Sequence, residues 1–216
     1  MPLPTLLKVF CALLIMSMFG GCSIYEKHGY GKVVNSRLDG SIATPVELPP
    51  DAPTISQRYR PVQPAEIGEH QGFDILVPYR TPVLAASDGI VTRVELSLLY
   101  GRQVMVNHGR AAAGYRLQTR YFHLTEQLVR EGQAVARGQL LGYSGASGLA
   151  GGFPHLHFEV HRLDEAEPAL AVGFLDPQLF WIEGAGKVTC FERGREFSVS
   201  PTRLTYPVPC RDRAWQ

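Results

Sequence analysis

Cysteine is scarce, neither charge sign is in excess, and no apolar run is long enough to cross a bilayer. Each absence narrows what the chain can be. Lys and Arg total 21 against 20 Asp and Glu, and no window is dense enough in cations to track phosphates, so nucleic acid is excluded as a partner. Lysine is missing between Lys32 and Lys187. The Gly-Gln hairpins at Gly132-Gln133 and Gly138-Gln139 look like those of lipoyl and biotinyl carriers, which need an exposed lysine at the hairpin tip, so that role fails. A serine-hydrolase elbow is lacking too: Gly142-Tyr143-Ser144-Gly145-Ala146 misses the Gly-x-Ser-x-Gly spacing, which leaves Ser144 and Ser147 as loop residues. What remains, 216 residues with 45% hydrophobic and 19% charged, describes a globular chain with one real core plus extra segments.

The longest apolar run, Val9 to Phe19, follows Lys8 and ends in Gly20-Gly21-Cys22. It is too short to span a membrane and has the form of a secretory signal. Together with Cys22 it resembles a bacterial lipoprotein signal (1–21), cleaved before Cys22, which is then acylated; Phe19 stands where that signal more often has Leu. Ser23, rather than Asp, matches Gram-negative lipoproteins sent to the outer membrane, so a lipid-anchored protein facing the periplasm is expected. Cys11 leaves with the signal and Cys22 carries lipid, so Cys190 and Cys210 remain as one pair. An oxidising compartment joins them.

Residues 22–60 read as a proline-rich tether, with part of it packing on the domain as a strap left open. From Phe73 onward short runs rich in Val, Ile and aromatics alternate with turn residues. Strands are predicted at Phe73–Val77, Val83–Ala86, Ile90–Leu96, Arg102–Asn107 and Arg116–Leu124, with one helical turn from Thr125 to Arg130. The fold class is mainly β, an antiparallel sheet, over 61–180. Gly142 to Gly152 holds five glycines and should be a mobile loop. The tail, 181–216, is a disulfide-clipped appendage with further strands predicted at 178–182, 187–192 and 196–199.

Chemistry centres on Pro154-His155-Leu156-His157-Phe158-Glu159-Val160. On a strand His155 and His157 share one face, and His is both the commonest metal ligand and the side chain that titrates nearest neutrality. His70 and Asp74 flank Gly72 and converge if that stretch is extended. His70, Asp74 and one of the strand histidines make three N/O ligands with an open position, the pattern of a catalytic zinc, with the other histidine spare for proton transfer. A structural zinc is disfavoured because the two mature cysteines lie far away. In Tyr121-Phe122-His123-Leu124, Tyr121 and His123 are expected on one face. Of the other histidines, His28 falls in the tether, His108 in a strand-end turn, and His161 beyond the strand facing solvent.

His-x-Gly-x-Asp, Tyr-x-His-Leu, the Gly-Gln hairpin and Pro-His-Leu-His-Phe-Glu-Val, in this order over about residues 61–180, resemble the LytM/lysostaphin-type zinc metallopeptidases. The resemblance implies one zinc held by His70, Asp74 and His157, with His123 and His155 catalytic and a substrate groove walled by long loops. It implies peptidoglycan as substrate, cut at a stem or cross-bridge peptide bond. Arg80 replaces a usual glycine, and Gly109–Gln118 is longer than the family's hairpin. A non-catalytic activator on the same fold, with a cell-wall amidase as partner, is the competing reading; such activators lack several ligands, whereas all five residues stand here.

Overall fold

The computed structural model describes residues 29–33, 45–60, 70–111, 113–163, 171–197, 200 and 202–216; the expected signal, Cys22 and His28 lie outside them. The strands are β1 (Ile55–Gln57), β2 (Phe73–Ile75), β3 (Pro82–Leu84), β4 (Gly89–Ser97), β5 (Gly101–Arg110), β6 (Arg116–Gln127), β7 (Ala134–Val135), β8 (Leu140–Ser144), β9 (Leu156–Leu163) and β10 (Ala171–Leu175). They form one sheet in the order β1-β2-β9-β6-β5-β4-β7, with β3 reaching it through β8 and β6. Every strand pairing is antiparallel, and no α-helix occurs among the described residues. Strands β2 and β10 share one edge of β9, β2 on residues 156–158 and β10 on 160–163.

The pleat sorts side chains to two faces. Tyr121 lies opposite Phe158 and Thr119 opposite Val160, and all four are fully buried. Tyr121, Phe158 and Val160 join Ile55, Phe73, Val104, Leu117 and Leu156 in a single core. The other face carries Phe122 opposite His157, Arg120 opposite Glu159 and Gln118 opposite His161. Under the core face, the buried His108 is held by hydrogen bonds. Its Nδ1–H donates to the Asp88 carbonyl (2.8 Å), so its Nε2 accepts from the Thr119 hydroxyl (2.7 Å). The Tyr121 hydroxyl completes this chain, 2.9 Å from Thr119 Oγ1 and accepting from Ala86 N–H at 2.9 Å.

Four local expectations change. Thr125–Gln127 continue β6 instead of turning into a helix, because Glu126 and Gln127 find partners in Tyr143 and Gly142 of β8. No tail strand occurs among the described residues: a 3-10 turn, Pro177–Phe180, is capped by Asp176. Beyond it the described chain is irregular, tied by bridges such as Trp181–Leu204 and Glu47–Lys187. Gly142 belongs to β8, and the glycine-rich loop after it is pinned. Ser147 Oγ donates to the Leu124 carbonyl (2.7 Å) and accepts from Arg102 N–H (2.9 Å), and Leu149 N–H donates to the Leu99 carbonyl (2.8 Å). His161 lies within β9 with no exposed surface.

Packing does not break at residues 60 or 180. Ala52 and Ile55, from the proline-rich segment, share the core with Trp181, Leu204, Tyr206 and Val208 from the tail. The Tyr206 hydroxyl donates to the Pro53 carbonyl (2.9 Å), and Arg213 pairs with Asp51 at 2.8 Å. The described part of the proline-rich segment is therefore a strap on the domain, the alternative left open by its sequence. Cys190 and Cys210 form a disulfide with Cα atoms 6.0 Å apart.

Candidate active site

Asp74 sits on β2 directly across from His157 on β9. Its Oδ1 is 2.7 Å from His157 Nδ1, 3.1 Å from His70 Nε2 and 3.6 Å from His155 Nε2. Gly72 makes this approach possible. A Cβ there would stand 2.3 Å from the Phe158 carbonyl oxygen and 3.0 Å from Glu159 Cγ, so any side chain would push β2 off β9. The sequence pattern identifies the right glycine, but its role is backbone clearance as much as convergence of the neighbouring side chains.

Each of the four histidines is held from its far side, which sets its tautomer. His70 Nδ1–H donates to the Arg58 carbonyl (2.9 Å), His123 Nδ1–H to the Ser147 carbonyl (2.8 Å), and His155 Nδ1–H to the Phe153 carbonyl (2.9 Å). All three therefore present Nε2 to the site. His157 is reversed: Nδ1 faces Asp74, and Nε2 lies 3.0 Å from Glu159 Oε1. Glu159 is almost wholly buried, and its other oxygen receives His161 Nε2 at 2.5 Å.

His123 reaches the site through a break in strand alternation. It has φ 61°, unusual for a non-glycine residue, and the pairing of β6 with both β5 and β8 shifts register beside it. This bulge puts Phe122 and His123 both on the site face, with Tyr121 and Leu124 in the core. It corrects the simple alternation, which would have put Tyr121 with His123. Phe122 lies 5.5 Å from His157 and stacks on Tyr100 at 4.6 Å between ring centroids, and His123 lies 4.8 Å from His155 and 6.0 Å from His157. A side chain held in this backbone region costs about 1–3 kcal/mol, a burden that clusters at functional positions.

The electrostatics follow the geometry. Burial opposes the Asp74 charge, but hydrogen bonds from His157 and His70 outweigh it and hold the carboxyl far below its usual range. Burial also opposes a charged His157, yet Asp74 and Glu159 raise its pKa to about 9. Glu159, despite burial, is drawn down to about 2 by His157 and His161. His123 has no such partner, and burial lowers it to about 4.

These residues fit a metal ion. His70, Asp74 and His157 offer ligand atoms within 4.8 Å of one another, two imidazoles and a carboxylate, the N/O donor set of a catalytic zinc. Both rings already have the outward partner that metal-bound histidines need, the Arg58 carbonyl for His70 and Glu159 for His157. Cys190 and Cys210 are spoken for by their disulfide, and Ser144 is a buried strut whose Oγ donates to the Pro78 carbonyl (2.8 Å). Of the expected site residues, His70, Asp74, His123, His155 and His157 all come together, while Cys22 lies outside the described residues. Sequence reading passed over Glu159 and Phe122; the signal for Glu159 was the same period of two that links His155 to His157.

Residues 68–168 match peptidase family M23. The chain is 40% identical over 122 residues to an uncharacterized metalloprotease of Haemophilus influenzae, covering 56% of this chain and 24% of that protein. It is 38% identical over 104 residues to the peptidoglycan DD-endopeptidase ShyA of Vibrio cholerae, covering 48% and 23%. Among solved structures, a zinc-containing peptidase from Vibrio cholerae is 32% identical, covering 55% of this chain and 36% of that one at a TM-score of 0.46. This chain spans about a quarter of the length of the first two relatives. All five convergent residues, from His70 to His157, fall inside residues 68–168, a peptidase M23 domain.

Proposed function

We propose that this protein is a zinc-dependent peptidoglycan endopeptidase, hydrolysing a peptide bond in stem or cross-bridge peptides. One observation carries the reading: a single carboxylate oxygen, Asp74 Oδ1, lies within 3.1 Å of nitrogens from both His70 and His157, and each of those rings is held at its other nitrogen. The M23 match over residues 68–168 and the peptidoglycan endopeptidases among its relatives support the substrate class. His70, Asp74 and His157 would hold the zinc. Bound there, zinc supplies Lewis acidity, lowering the pKa of a water to about 7 and polarising a peptide carbonyl.

The protein's own groups handle the proton. His155 and His123 both keep Nδ1–H on a backbone carbonyl, so the neutral rings present bare Nε2 atoms as acceptors. His155, 3.6 Å from Asp74 Oδ1, is assigned as the base that takes the proton of the attacking water and passes it to the leaving amine. His123, which burial keeps neutral, can donate to the developing oxyanion only after gaining a proton, so its ground-state part is to position the water. The lipoprotein-like signal at residues 1–21 and Ser23 after Cys22 support a domain facing the periplasm, attached to the outer membrane through an acylated Cys22.

The test is digestion of purified murein by zinc-loaded protein comprising residues 23–216, with products identified by mass spectrometry. New amino and carboxyl ends in cross-linked muropeptides are expected. His157→Ala should lose zinc and activity together, and His155→Ala should lose activity with zinc retained. A folded, zinc-loaded protein that cuts no cross-linked muropeptide would end the proposal. Cys22→Ser should move the full chain from the membrane to the soluble fraction.

A further inference from the structure

The face that carries His157 does not stop at the candidate metal site. It continues across β6, β5 and β4 into a cavity of about 440 Å³ whose lining includes Thr92, Tyr100, Gln103, Gln118 and Arg120. One link between cavity and site is Tyr100, stacked on Phe122, which in turn lies against His157.

Arg120 is the notable group there. Its Nε–H donates to Gln118 Oε1 at 2.8 Å, and Gln118 Nε2–H donates onward to Thr92 Oγ1 at 3.2 Å. Gln103 is fixed in the same way, its Nε2–H donating to Ser97 Oγ at 3.1 Å. Gln103 and Gln118 are both buried, so the guanidinium is braced by a network that cannot swing away. The two terminal nitrogens of Arg120 bring four further N–H donors to the cavity wall. The other charges nearby are already matched: Arg93 pairs with Glu95 at 3.3 Å at the exposed rim, and Glu159, across the strand from Arg120, has both oxygens engaged by His157 and His161. A braced, half-buried guanidinium with a free edge is a receptor for a planar anion, and it binds carboxylates through two parallel hydrogen bonds.

We infer that Arg120 binds a free carboxylate of the peptide substrate, in a subsite about two residues from the bond that is cut. The spacing follows from the sheet. Arg120 and Phe122 are two positions apart on β6, roughly 7 Å along the strand, and an extended peptide lying on this face advances by about the same rise per residue. The inference rests on the endopeptidase reading for its substrate. Stem peptides built with γ-linked and diamino acids leave carboxylates free along the chain, which an ordinary α-linked peptide would have consumed in its backbone. The ligand class is thus a carboxylate-bearing peptide, and the same peptide with its carboxylates amidated should be discriminated against.

Binding and cleavage separate the two ideas. Equilibrium binding of a cross-linked muropeptide and its amidated form is measured on zinc-loaded His155→Ala protein, with and without Arg120→Gln or Arg120→Lys. The free-carboxylate form should bind about 10- to 100-fold more tightly, the worth of a charge-assisted hydrogen-bonded pair. Arg120→Gln should erase that preference while leaving the affinity for the amidated form within about twofold. Arg120→Lys, which keeps the charge without the fork, should retain part of it and guards against misreading a folding defect. Equal affinities for the two peptides, no binding of either, or a preference that survives Arg120→Gln overturns the inference. Wild-type protein that cuts neither form would count against the endopeptidase reading alone.

Discussion

Glu159 holds His157 by the edge of the ring that faces away from Asp74, with Oε1 3.0 Å from Nε2. The contact fixes which nitrogen His157 turns toward Asp74 and any metal beside it. Outward partners of this kind typically contribute 10- to 100-fold in metal affinity. Glu159→Gln, which keeps the shape and removes the charge, should weaken zinc binding by about that factor in a chelator competition. Thermal unfolding of the metal-free variant identifies any general loss of structure. An unchanged zinc affinity would show that His157 is oriented by Asp74 and the strand alone.

Gly72 is the narrowest point between β2 and β9. Gly72→Ala puts a methyl 2.3 Å from the Phe158 carbonyl oxygen, and neither backbone can yield without parting Asp74 from His157. Overpacking of this kind costs about 1–3 kcal/mol, so both the unfolding midpoint and the zinc content should fall. Gly173→Ala, where a Cβ meets nothing within 4 Å, is the matched control and should change neither.

His108 makes stability depend on acidity. Burial lowers its pKa to about 4, against about 6.5 in the unfolded chain. Above pH 6.5 both states hold a neutral ring and nothing is lost. As pH falls from 6.5 toward 4 the unfolded chain takes up a proton that the folded one refuses, which removes about 3 kcal/mol of stability at 1.36 kcal/mol per unit. Urea unfolding of wild type and His108→Gln at several pH values should therefore show their difference shrinking as the solution becomes more acid. Parallel curves would contradict this.

The Cys190–Cys210 disulfide closes a loop of sequence separation 20. Replacing both residues with alanine should lower stability by about 3 kcal/mol in the chain-entropy treatment, read from denaturant midpoints. Zinc binding should persist, since neither residue approaches His70 or Asp74.

Much of the site was legible because its parts are local. His155 and His157 announce themselves by a period of two, and His70, Gly72 and Asp74 by their spacing around a glycine. What escaped was non-local. The bulge at His123 reflects the demands of β5 and β8 on β6, which no window of sequence around Tyr121 contains. His161 reads as a solvent-facing residue beyond the strand until β6 and β10 pair on either side of it. Strand positions were legible for β2 to β6 in the same way, from runs of Val and Ile broken by turn residues. The tail was not: Trp181, Leu204 and Tyr206 look strand-like in composition, yet they fill a wall of the core from irregular chain, a use of apolar residues that propensity does not foresee.

That wall has a consequence for the order in which the protein can mature. Ribosomal synthesis runs from the strap to the tail, so β2, β6 and β9, which bear the site, all emerge before residues 204–208. The core behind β2 stays open until Leu204, Tyr206 and Val208 arrive to meet Ile55 and Phe73, contacts separated by most of the chain and therefore slow to form. A nascent chain halted after β9 would carry every candidate catalytic residue without the packing that holds them in register. The register of the candidate site is thus completed only by residues 204–208, the stretch that closes the core against the strap.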